Sequence, residues 1–223
     1  MMKNTLIKLT LVAGAIIFAA SVAFSQNAGK ITKALLEKNE KVEGYKAKVK
    51  IKIDIDFLKM KDRTATVTYR KPDKFEIESD GFALLPKNGS NMEYMQILRE
   101  KHTALFVRKD NLNGKEVSVI KVIPQTADAE TVLAEMWIEP DENRLYKVEA
   151  YTKNSGSYNI LFEYAGHPYD LPDKFIIKFN IEKSNIPNFM KGNLETLDKS
   201  DDNEIESTEG KVILDYYDYK ILN

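Results

Sequence analysis

The sequence predicts a mainly β chain of the α+β type, an antiparallel meander with short helices laid over one face. Three observations predict it. Residues 47–55 alternate strictly, with Ala47, Val49, Ile51, Ile53 and Ile55 set against Lys48, Lys50, Lys52 and Asp54, the period of a strand with one buried and one wet face. Short runs of the same kind recur, separated by turn clusters such as Asn111-Leu112-Asn113-Gly114, Glu139-Pro140-Asp141-Glu142-Asn143 and Asn154-Ser155-Gly156. Two segments, 28–42 and 82–100, break that rhythm and carry apolar residues at other spacings.

The chain opens with Lys3 and Lys8, an apolar run from Leu11 to Phe18, and small residues at Ala23 and Ser25 before Gln26. That order is the layout of a secretory signal peptide. The apolar run is shorter than the roughly 20 residues a spanning helix needs. Residues 1–25 are therefore expected to be removed on export, leaving 26–223 as a single periplasmic domain. Cysteine is absent, so neither a lipid on an N-terminal cysteine nor a disulfide is available, and stability must rest on a core. With 33 Lys+Arg against 34 Asp+Glu, the chain lacks the basic excess of a nucleic-acid binder.

The first element of 26–223 is helical. Ile31, Ala34, Leu35 and Val42 recur at helical spacing among Lys30, Lys33, Glu37 and Lys38, and Gly44 ends the run. The strand 47–55 follows, then Thr64–Tyr69 with Ala65, Val67 and Tyr69 on one face; beyond Pro72, Phe75 and Ile77 continue the pattern. In 82–100, Phe82, Leu84, Leu85, Met92, Met95, Ile97 and Leu98 surround a Pro86-Lys87-Asn88-Gly89 loop. This predicts one or two short helices with a soft, methionine-bearing surface. Further strands are expected at Thr103–Arg108, Glu116–Ile123, Thr131–Glu139, Leu145–Thr152, Ser157–Tyr164 and Lys174–Glu182. A polar, acidic loop at 185–210 precedes a last strand, Lys211–Tyr219. The total is roughly ten strands, with no internal repeat and no domain linker.

Catalytic constellations are missing from this pattern. There is no cysteine nucleophile and no Gly-x-Ser-x-Gly elbow. The two histidines are far apart: His102 at a strand start and His167 in the loop Gly166-His167-Pro168-Tyr169. Neither a His-Glu-x-x-His pair nor a Gly-rich phosphate loop occurs. The acidic run Asp198–Glu206 fits no calcium-loop spacing and reads as solvated loop; Asn88-Gly89-Ser90 matches a glycosylation acceptor and reads as a turn. No catalytic residue, metal or cofactor is expected.

What remains is an excess of sheet with an aliphatic and aromatic face. Tyr69, Phe75, Ile77, Phe106, Ile160, Phe162, Phe175, Ile177 and Phe179 all fall on alternating positions. Such a meander closes into a barrel, folds into a sandwich, or curls around a helix. Its apolar face either packs solid or is covered by helices and ligand, with 28–42 and 82–98 as the available covers.

The order of these elements resembles the LolA-like outer-membrane lipoprotein-sorting proteins of Gram-negative periplasms, over essentially all of 26–223. A signal-peptide-like start precedes an amphipathic helix. Val67-Thr68-Tyr69-Arg70-Lys71-Pro72-Asp73-Lys74-Phe75 is similar to the family's basic-Pro-x-x-Phe junction, and a helical insertion follows. Met136-Trp137-Ile138-Glu139-Pro140 is similar to its Trp-Ile-acidic turn, and Leu171-Pro172 precedes Lys174-Phe175. The resemblance implies an incomplete β-barrel closed by short helices over a hydrophobic cavity. It also implies a non-enzymatic carrier that binds acyl chains of lipoproteins or lipids and delivers them toward the outer membrane, with an inner-membrane exporter and an outer-membrane acceptor as partners. On this sequence the cavity and lid would be lined by Val49, Ile51, Ile53, Val67, Tyr69, Phe75, Ile77, Leu84, Met92, Met95, Phe106, Phe162, Phe175 and Ile177. Arg70 and Lys71, before Pro72, would be the lid contact; Lys71 stands where a fixed guanidinium fork would grip more firmly. The alternative on the same fold is a periplasmic sensor or protein-interaction module that binds through a sheet edge or the acidic loop.

Overall fold

Among the described residues, the alternating runs pair into a single ten-stranded antiparallel sheet. The computed structural model describes residues 27–55, 61–72, 74–79, 93–153, 156–167, 169–181 and 208–222. Helix α1 covers 27–39. Strands β1 (Gly44–Ile55), β2 (Arg63–Arg70) and β3 (Lys74–Ser79) follow, then helix α2 (Glu93–Arg99). The remaining strands are β4 (His102–Leu112), β5 (Lys115–Pro124), β6 (Thr131–Glu139), β7 (Arg144–Thr152), β8 (Ser157–Glu163), β9 (Lys174–Ile181) and β10 (Thr208–Ile221). Their order across the sheet is β3-β2-β1-β10-β9-β8-β7-β6-β5-β4. The edge strands β3 and β4 do not pair, so the sheet is not closed into a barrel.

Register follows the side-chain period. On the inner face Val49 pairs with Tyr216, Ile51 with Leu214 and Ile53 with Val212. Leu214 pairs with Phe175 and Val212 with Ile177 on the far side of β10. The β4–β5 connection is a two-residue hairpin in which Asn113 (φ 53°) and Gly114 (φ 84°) are both left-handed. That is the turn whose twist matches the strands it joins, and the Gly114 N–H donates to the Asn111 side chain at 2.9 Å.

The sheet must curl. Ten strands about 4.8 Å apart would span roughly 40 Å if flat, whereas a helix is about 10 Å across. Yet the short α1 segment and the turn after it reach Lys71 beside edge strand β3 through Glu40, and approach β4 at the opposite edge through Thr32 and Leu36. The sheet therefore wraps around α1. One apolar cluster joins Ala28, Ile31 and Leu35 of α1, Tyr94, Met95, Ile97 and Leu98 of α2, and the inner face of the sheet. A separate outer-face cluster holds Val117, Val119 and Trp137. The Trp137 indole N–H donates to Asp110 at 3.1 Å, and Lys147 lies 4.3 Å from the ring centre. Among the described residues no helix is long and apolar enough to cross a membrane.

Several boundaries differ from the sequence expectation. The first helix stops at 39 instead of running to Val42. The Asn39 side chain donates back to the Leu35 carbonyl at 2.9 Å, the chain turns, and Val42 is buried from outside the helix. Gly44, expected to end the helix, begins β1, and β10 starts at Thr208 rather than Lys211. Met95, expected on a soft surface, is fully buried. Residues 1–25, the helical part and Asn88-Gly89-Ser90 turn of 80–92, Leu84, Met92, and 182–207 with its acidic run lie outside the described residues.

Candidate functional site

The inner face and its two covers form the candidate site. The face exists because each strand places every second residue on it. The covers sit there because both helices are amphipathic: α1 buries Ile31 and Leu35, while α2 buries Tyr94, Met95, Ile97 and Leu98. Of the residues singled out from the sequence, Val49, Ile51, Val67, Tyr69, Met95, Phe162, Phe175 and Ile177 are buried in one continuous cluster. Ile53, Phe75, Ile77 and Phe106 are half-buried and pack at its margin. A groove of about 520 Å³ opens between α1 and the start of β4, with Leu36, Leu98 and Ala104 in its wall.

The covers are fastened by charge. Glu40, one residue past α1, accepts from the Arg99 guanidinium at the end of α2 at 2.8 Å. Its other carboxylate oxygen lies 3.4 Å from the Lys71 ammonium at the end of β2. Lys71 also pairs with Glu43 at 3.0 Å, and its backbone N–H donates to the Glu43 carbonyl at 2.9 Å. One carboxylate thus ties together the end of α1, the end of α2 and the β2–β3 turn. Burial alone would raise the Glu40 pKa, but Arg99 and Lys71 outweigh it and hold the carboxyl below its usual range. Lys71 is held above its usual range, chiefly by its hydrogen bond to Glu43. Arg70 is exposed and joins no ion pair among the described residues, so of the two basic residues before Pro72 it is Lys71 that engages the α1–β1 connection.

A second junction holds α1 from the other side. Lys38 and Arg144 both pair with Asp170, in the loop between β8 and β9, and the Lys38 ammonium donates to the Glu142 carbonyl at 2.5 Å. Burial would raise the Asp170 pKa, but the two cations hold it down. Asp170 keeps a left-handed backbone at φ 54°, a conformation that aspartate tolerates better than most residues. These contacts make α1 the more firmly anchored cover. Among the described residues, the ion pair tying α2 down is that between Arg99 and Glu40.

Among the described residues no group of three or more His and acidic side chains is placed to hold an ion. His102 begins β4, with its Nδ1 2.9 Å from the Glu100 carbonyl. His167 packs against Tyr219 with the rings tilted at 55° and their centres 4.8 Å apart.

No protein-family model matches the sequence, and a comparison with curated proteins gives no match. Solved structures do match in shape. A DUF1329 family protein from Desulfovibrio piger superposes with a TM-score of 0.57 at 6% identity, covering 89% of this chain and 93% of that one. A structure described as an outer membrane lipoprotein-sorting protein domain from Vibrio parahaemolyticus gives 0.55 at 12% identity, covering 89% and 94%. A LolA superfamily protein from Nitrosomonas europaea gives 0.52 at 10% identity, covering 86% and 94%. The fold is the LolA-like fold. At these identities the likeness speaks of architecture: an open antiparallel sheet curled under short helices.

Within this LolA-like frame, the sequence alone did not single out Glu40, Arg99, Lys38, Arg144 or Asp170. Each reads along the chain as an ordinary solvated charge. The one available signal was Arg99 in the last turn of the short helix, where a cation also meets the helix dipole.

Proposed function

We propose that this chain is a periplasmic carrier that binds the acyl chains of lipoproteins or lipids beneath its helical covers and delivers them toward the outer membrane. The observation that carries the reading is the covered apolar inner face, its two helical covers joined through the shared Glu40 carboxylate, with a groove between α1 and the start of β4 beside it. A core that only had to be stable would not need its covers held by partly exposed ion pairs, which contribute little stability. The signal-peptide pattern of residues 1–25 supports export, and the fold shared with lipoprotein-sorting structures supports this cargo class over others.

Energetics then dictate how such cargo would move. Burying about fifteen methylenes at ~0.8 kcal/mol each contributes on the order of 12 kcal/mol. Release into water is therefore slow. The carrier would hand its cargo directly from an exporter at the inner membrane to an acceptor at the outer membrane.

The test is uptake of a fluorescent fatty-acyl analogue by delipidated protein, together with native mass spectrometry of protein taken from its own cell envelope. Saturable uptake and co-purifying lipid are expected. Uptake no stronger than that of an ordinary globular control, with no bound lipid, overturns the reading.

A further inference from the structure

Four buried tyrosines interrupt the apolar interior: Tyr69 of β2, whose hydroxyl donates to the Pro72 carbonyl at 3.4 Å, and three others. Tyr45 comes from β1, Tyr216 from β10 and Tyr94 from α2, and they are 3%, 4% and 6% exposed. They belong to one arc of rings. Tyr94 meets Phe162 at 5.1 Å, Phe162 meets Phe175 at 5.3 Å, and Phe175 meets Tyr216 at 5.2 Å. From Tyr216 the arc continues through Tyr219 to Tyr45, at 5.9 and 5.3 Å. The arc lies between the sheet and α2, on the face the covers enclose.

The hydroxyls on this arc are not equivalent. Tyr219 donates to the Pro172 carbonyl at 2.7 Å. Tyr216 Oη is fully enclosed and has no partner. A phenol left in that state is rare, because a buried donor without an acceptor forfeits the hydrogen bond it made to water. The other such side-chain atoms among the described residues are Ser79 Oγ and Arg144 Nε, and Arg144 places its remaining N–H groups on Tyr146, Glu142 and Asp170. Tyr216 has no second donor to fall back on.

We propose that Tyr216, flanked by Tyr45 and Tyr94, is a polar subsite within the covered face that donates to the uncharged carbonyl oxygen of an acyl ester or amide. The inference rests on the carrier reading and specifies its ligand. The acceptor is uncharged because the cation that α2 carries, Arg99, is already paired with Glu40, and burying an unpaired carboxylate is far more costly than burying a carbonyl that receives a hydrogen bond. The phenol is the donor because burial keeps it protonated. Cargo would thus enter head-inward far enough for its linkage, not only its tail, to be recognised.

The experiment measures displacement of an alkyl-pyrene probe from delipidated protein by three competitors of equal length: methyl dodecanoate, dodecanoate and a straight alkane. The ester is expected to outcompete the alkane by roughly three- to ten-fold, the range one neutral hydrogen bond supplies. In Tyr216→Phe that ratio should fall toward one while the alkane binds as before. Tyr219→Phe, whose hydroxyl is already engaged, should keep the ratio. Equal binding of ester and alkane, or an ester advantage that survives Tyr216→Phe, overturns the subsite while leaving the carrier reading standing; the enclosed hydroxyl then meets only water. Dodecanoate binding best overturns the choice of an uncharged acceptor. Failure of the probe itself to bind overturns both proposals.

Discussion

Glu40 and Arg99 stand 59 residues apart in the chain, and their side chains meet at 2.8 Å where the two covers end. The pair joins α1 to α2 directly, and Lys71 extends it to the sheet. Replacing Glu40 by Gln should therefore act on the covers more than on the fold. Urea unfolding should shift by no more than about 1 kcal/mol, as for partly exposed ion pairs. Uptake of the acyl probe should become faster and lose its dependence on salt. Unchanged uptake kinetics would mean that the clasp does not limit entry.

Acid should open the same clasp. The folded pKa of Glu40 lies below its ordinary 4.5, so its contribution is fully present above that value and is lost as pH falls through the folded value. Asp170, held below its ordinary 3.8, follows at lower pH. Uptake rates should be flat around neutrality and rise below about pH 4.5. In Glu40→Gln the first rise should be absent.

Ile51 and Ile53 share a strand and a face but not an environment. Ile51 is buried, while Ile53 is half-buried at the cluster margin. Ile51→Phe should cost about 1–3 kcal/mol by overpacking. Ile53→Phe should cost under about 1 kcal/mol and instead lower acyl-probe affinity, because the added ring fills space at the margin of the face. Denaturation and probe titration of the two variants check both halves.

Gly210 pairs with Phe179 across β10 and β9. A methyl group at Gly210 would overlap the Phe179 ring. Gly210→Ala should displace that ring and destabilise the domain by roughly 1–3 kcal/mol. Pairing it with Phe179→Leu should recover much of the loss, a coupling that a double-mutant cycle reads directly.

The sheet was legible because its signals are local. The alternation at 47–55 is a property of adjacent residues, and Asn113-Gly114 specifies its hairpin in two positions. Helix α1 was placed three residues too long because Val42 is apolar and buried. The Asn39 side chain that ends the helix looks like any other polar residue in sequence. The clasp was half legible: Lys71 stood out beside Pro72, but its acid did not, because Glu40 is one of many carboxylates and its partner Arg99 is brought near only by the curl of the sheet. Tyr216 was hidden for a different reason. Alternation assigns it a face but not a hydrogen-bond partner, and the missing partner is what sets it apart.

Strand β10 lies between β1 and β9, and this has a consequence for assembly. A growing chain can pair β1, β2 and β3, and separately β4 through β9, but no strand pairing joins those two blocks until residues 208–221 are available. Bringing β10 against β1 closes a loop of roughly 160 residues, at an entropic cost on the order of 4 kcal/mol, and contacts of such long range form slowly. The domain should therefore mature in one late step, with two β fragments zipped together by their last partner. A chain cut before residue 208 should behave as two sticky half-sheets with no strand pairing between them rather than as a weakened version of the whole.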